Sequence, residues 1–157
     1  MTERVPMTQE GKKMLEAELT RLKTVERPRI VKAIEEARAH GDISENAEYA
    51  AAKEQQSQNE GRIIDLEDKL GRAEVIPPQA GKPEKIVFGV LVSLIDTEND
   101  KEVQYRIVGD FEADIKLNKI SISSPLARAL IGKRAGDEAV VQTPGGRRAY
   151  EITAIAS

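Results

Sequence analysis

Between residues 8 and 40 apolar side chains recur at helical spacing: Leu15, Leu19, Leu22 and Val25, then Ile30 or Val31, Ile34 and Ala37. Glu, Lys, Arg and Ala fill the other faces, and Thr8 is a suitable N-cap. Pro28 lies inside the pattern, removes one backbone hydrogen bond and should kink or shift the helix near Val25. The stripe resumes beyond it, so one bent helix is expected rather than two. A second helix is expected from residues 42–44 to about residue 73. There Ile63, Leu66, Leu70 and Ala73 step by three, four and three, the rhythm of a coiled-coil seam. Near the turn the apolar positions shrink to Ala47, Ala50 and Ala51, expected to face Ala37 and Ala39. The pair predicts an antiparallel hairpin that narrows toward its tip, with arms of about 30 residues and on the order of 45 Å.

The stretch "VIPPQAGKPEK" at 75–85 holds three Pro and one Gly and reads as a linker. Past it the period changes to short β-like runs at 86–95, 103–109, 119–122, 138–143 and 147–155. "PGG" at 144–146 suits a tight hairpin connection between the last two. "SSPLARALIG" at 123–132 reads as a short helix capped by Ser123 or Ser124, with Pro125 in its first turn and Gly132 ending it. The expected fold class is therefore α+β in two domains: a coiled-coil hairpin over 1–76, a linker over 77–84, and a small, mainly antiparallel β domain with one short helix over 85–157.

Composition narrows the function. Aromatic residues make up 3% of the chain and charged residues 32%, which suits two lean units better than one large core. Residues 1–80 carry 13 basic against 16 acidic side chains and residues 81–157 carry 11 of each, so neither half is built to grip naked DNA by neutralising phosphates. There is no Cys, hence no disulfide frame or thiolate metal site, and His40 is the single His. No apolar run approaches a membrane span or a signal core, so a cytoplasmic protein with no membrane partner is expected.

The densest chemistry lies in "HGDISENAEYA", residues 40–50, where Asp42, Glu45 and Glu48 fall at the bend between the helices. Gly41 can take the left-handed conformation that ends the first helix. Asp42 as N-cap with Glu45 three residues on makes a capping-box pattern, and first-turn acids suit the helix dipole. A cap needs only one acid, however, and Glu48 and the long arms are left without a task. Asp42 and Glu45 turned outward could instead share one hard cation. Mg²⁺ is commonly held by one or two carboxylates plus waters and substrate phosphates. Two side chains cannot hold it tightly alone, so the remaining ligands would come from a partner.

"GDISENAEYAAAKEQQ" at 41–56, "SPLARALIGK" at 124–133 and "TPGG" at 143–146, in this order and spacing, resemble the Gre family of bacterial transcript cleavage factors. The resemblance covers nearly the whole chain. It implies a C-terminal domain similar to FK506-binding proteins that docks on bacterial RNA polymerase, and a coiled coil that enters the polymerase's secondary channel. Asp42 and Glu45 match the tip acids that help hold a second, weakly bound Mg²⁺ of the polymerase and position a water. The polymerase then cleaves its own backtracked RNA near the 3′ end and resumes elongation. No cofactor would be bound tightly by the chain itself. Arg38 and Lys53 match basic positions that contact RNA, though either could equally be a solvated helix residue. Ser124 and Pro125 match the docking loop, with Ser123 standing where many relatives have Asn or Asp. A probe that enters a pore is expected to act as a monomer.

Three rivals are weaker. A prolyl isomerase pocket is built largely from aromatics, and the distal half has only Phe88, Tyr105, Phe111 and Tyr150. A coiled coil that merely plugs the channel would be expected to lose or alter the tip pair, which is intact. A free-standing nuclease would need a complete two-metal site, and the chain has too few converging acids for one.

Overall fold

The computed structural model describes residues 3–41, 45–78 and 81–157. The chain divides into two compact units, one formed chiefly by Lys12–Ala73 and the other by Val5–Gly11 with Glu74–Ser157. Among the described residues no helix is long and apolar enough to cross a membrane.

The first unit is built from α1 (Gln9–Arg21) beyond its first three residues, a π-helical turn (Leu22–Glu26), α2 (Arg27–Arg38) and α3 (Ala47–Gly71). The expected disturbance at Pro28 is this π turn. Residues on both sides keep right-handed helical angles, and the Arg27 N–H donates to the Leu22 carbonyl, five residues back. A π turn accommodates one extra residue within an otherwise α-helical run, so Pro28 falls in the opening turn of α2, where its missing N–H costs least. The seam shows the same insertion. Buried Leu15 and Leu22 are seven apart, Leu22 and Ile30 eight, Ile30 and Ala37 seven. Val25, expected on the stripe, is instead 54% exposed because it belongs to the inserted turn.

On α3 the seam runs through buried Ala52, Asn59 and Leu66 at steps of seven, with Ile63 between them. Continued toward the turn, this rhythm reaches Tyr49, which packs with Ala33 against Ile30, Ile34 and Ala52. Ala47, Ala50 and Ala51 are exposed, so they are not the facing row that the pattern suggested. Buried Asn59 donates from Nδ2 to the Leu22 carbonyl over 3.3 Å, which satisfies its amide opposite the π turn. Beside the seam Arg27 forks onto Glu60 at 2.8 and 3.0 Å, and Arg62 reaches both oxygens of Glu18.

The second unit holds a five-stranded sheet in the order β5-β4-β3-β7-β6, formed by β3 (Leu91–Asp96), β4 (Glu102–Val108), β5 (Lys119–Ser121), β6 (Glu138–Thr143) and β7 (Gly146–Ala156). All pairings are antiparallel except β4 with β5. The strand expected over 86–95 begins only at Leu91. Gly89 turns the backbone with φ +90°, and Ile86 pairs instead with the chain leaving the short helix α4 (Pro125–Leu130) through Lys133 and Gly132. Val92 and Leu94 from β3, Ile107 from β4, Leu130 from α4 and Ile152 from β7 form the core. Thr143 faces Gly146 across a two-residue turn, as the Pro-Gly-Gly run suggested.

A second small sheet pairs β1 (Val5–Met7) with β2 (Ala73–Val75), which the periodicity did not foretell. Val5–Gly11 was expected to belong to the hairpin range 1–76, but it is grouped with the β unit. A shared carboxylate also ties this segment to the β unit. Glu112 accepts from the N–H groups of Thr8 and Gly109 at 3.0 and 2.9 Å and from the Thr8 hydroxyl. The Thr8 Oγ1 in turn accepts from the Gly11 N–H at 3.0 Å, which confirms Thr8 as the cap of α1.

Candidate functional site

The turn between α2 and α3 is set by its end caps. The last turn of α2 leaves carbonyls without helical partners, and the Ala37 carbonyl is taken up by the His40 N–H at 3.2 Å and by the Asn46 amide. Gly41 follows with φ +111°, a conformation in which a side chain would be strained. On the far side α3 starts at Ala47, three residues later than the latest start expected, and its N-cap is Asn46 rather than Asp42. Asn46 is extended, with φ −88° and ψ 102°, and its Oδ1 accepts from the Tyr49 N–H.

This displaces the roles read from the sequence. Glu45 precedes the cap, lies outside the helix and is exposed, so it is not the first-turn acid of a capping box. The acid in the first turn of α3 is instead Glu48, the one that had no evident task. Glu48 also stands 4.0 Å from His40 Nε2 with both side chains largely exposed. Asp42 lies outside the described residues. His40, Glu45, Asn46, Ala47 and Glu48 line an open recess of about 460 Å³. Among the described residues no group of three or more His, Asp or Glu side chains is arranged to hold a metal ion. An exposed carboxylate such as Glu45 is nevertheless a hard oxygen donor, the ligand type that Mg²⁺ prefers.

The two basic candidates differ in setting. The Arg38 guanidinium lies 5.8 Å from the centre of the Tyr49 ring, a cation–π arrangement that holds an otherwise exposed side chain near the tip. Lys53 is exposed and donates to Gln56 at 3.0 Å.

In the second unit Ser124 caps α4, its Oγ accepting from the Ala127 N–H at 3.2 Å, and Pro125 follows in the first turn. The neighbouring Ser123 is engaged by an acid that the sequence reading passed over. Asp110 Oδ1 accepts from the Ser123 hydroxyl at 2.7 Å and from the Ser121 hydroxyl. Those two hydroxyls, Ser121 first, hold the Asp110 carboxyl below its ordinary range, with Arg128 adding a favourable charge. Asp110 was missed because its partners lie 11 and 13 residues away in sequence, and the bridging bond of Asn46 because the Ala37 carbonyl lies nine residues away.

Family models match both halves: the N-terminal domain of the GreA/GreB transcription elongation factors over residues 5–75, and the C-terminal GreA/GreB domain over residues 81–157. The chain is 56% identical to transcription elongation factor GreA of Phenylobacterium zucineum over 98% of both chains. It is 59% identical to that of Agrobacterium fabrum, over 99% of this chain and 98% of the other. The solved structure of GreA factor homolog 1 from Thermus thermophilus is 32% identical over 99% of this chain and 100% of its own, with a TM-score of 0.43. The assignment rests on the sequence matches. The chain therefore belongs to the GreA/GreB family of transcription elongation factors, is of the GreA type, and stimulates transcript cleavage during elongation.

Proposed function

We propose that the chain acts on bacterial RNA polymerase by completing an active centre rather than by supplying one. The hairpin enters the secondary channel and brings Asp42 and Glu45 to the backtracked RNA 3′ end. Its distal domain, which we read as similar to FK506-binding proteins, docks through Ser124 and Pro125. The carrying observation is that Glu45 is exposed just outside the capped start of α3. Two-metal sites stabilise the attacking and leaving oxygens of a phosphoryl displacement. The chain's own residues contribute oxygen ligands and negative charge at the tip, while Arg38 and Lys53 approach the nascent RNA. No tightly bound cofactor is required, and a cytoplasmic monomer fits this mode of action. The chain alone is not a nuclease on this reading.

Asp42→Ala and Glu45→Ala test it. Each variant should compete for polymerase as the parent does and lose stimulated cleavage by at least about a hundredfold, the scale of removing one preorganised catalytic group. Parent-like cleavage by either variant would refute the role given to the tip acids.

A further inference from the structure

Asn46 does two things with one side chain. Its Oδ1 accepts from the Tyr49 N–H at 3.0 Å, closing the start of α3, and its Nδ2 donates to the Ala37 carbonyl at 2.6 Å, closing the end of α2. An amide supplies a donor and an acceptor on separate atoms. The two partners, one N–H and one carbonyl, leave only one orientation of the amide that satisfies both. Nine residues of chain are closed by this bridge. Neighbouring contacts reinforce it: Ala37 is 3% exposed, and Tyr49 packs on the hairpin core with Arg38 over its ring.

We infer that Asn46 is a positioning residue for cleavage: by tying the two helix ends together it fixes the place at which adjacent Glu45 presents its carboxylate. This rests on the reading of Glu45 as a shared metal ligand. Consecutive Cα atoms are about 3.8 Å apart, so clamping Asn46 restricts where the Glu45 Cα can lie. A ligand that contributes to a weak, shared ion site gains most from such preorganisation, because each freedom lost on binding raises the cation concentration needed. An N-cap alone would be served as well by Ser, Thr or Asp. Only a side chain with a second, donating atom reaches across to the Ala37 carbonyl.

The test uses the full-length protein on backtracked polymerase complexes. Asn46→Ser keeps a capping oxygen for Tyr49 but is too short to bridge to Ala37. It should bind polymerase as the parent does, raise the Mg²⁺ concentration for half-maximal stimulated cleavage about tenfold, the scale of one hydrogen bond, and regain the parental rate at saturating Mg²⁺. Asn46→Ala, which loses both bonds, should shift the requirement further. Asn46→Thr gives the same comparison if circular dichroism shows the Ser variant unfolded. An unchanged Mg²⁺ requirement overturns the inference, whether the rate is parental or uniformly lowered. Glu45→Ala is measured alongside: parent-like cleavage there would mean that the reading of the tip has failed. An inactive Glu45→Ala beside a parent-like Asn46→Ser would mean that only the role of Asn46 has failed.

Discussion

Asp110 gathers two hydroxyls beside the start of α4, those of Ser121 and Ser123. Ser123, just before the Ser-Pro pair, is held by the carboxylate of Asp110 in the turn that follows β4. Its hydroxyl partners favour the charged form. The folded pKa therefore lies below the unfolded one, so the stabilisation is complete above about pH 4 and is lost as pH falls through the folded value. Unfolding of the parent and of Asp110→Asn should differ by at most about 1 kcal/mol at neutral pH, since the site is solvent-screened. That difference should close below about pH 4. A difference that stays constant down to pH 2 would show that the carboxylate's charge is not what holds the loop.

At the scale of elements, the hairpin was legible because its seam is long and periodic, and the strands were legible where alternation was uninterrupted, as in Glu138–Thr143. The π turn was legible only as a disturbance. Pro28 announced it, but its size depends on the eight-residue step from Leu22 to Ile30, which counts only once both are known to be buried. The start of α3 was misplaced because Asp42 and Asn46 are both good caps, and the choice depends on the distant Ala37 carbonyl. β1 and β2 were hidden because three-residue strands carry too few positions to show a period. The inserted residue makes a sharp prediction. Deleting Val25 alone should destabilise the hairpin by about 3 kcal/mol, since Pro28 is then forced into a continuous α-helix. Deleting Val25 together with Pro28→Ala should restore most of the loss, because Leu22 and Ile30 then stand one heptad apart. Urea unfolding measures both, and an unrescued double variant would contradict the seam spacing.

For the whole molecule, the balance of charge matters more than its amount. A net charge of −3 spread over two nearly neutral halves gives little general attraction to nucleic-acid phosphates. The family is one of transcription elongation factors, and the fold carries an exposed acid at the hairpin turn and a capped Ser-Pro loop on the β unit. The most direct test of metal sharing is the Mg²⁺ dependence of transcript cleavage in backtracked polymerase, with and without the protein. Our account predicts that the protein lowers the Mg²⁺ concentration for half-maximal cleavage, that Glu45→Ala abolishes the shift, and that RNA without polymerase stays intact. An unchanged Mg²⁺ midpoint alongside faster cleavage would contradict it.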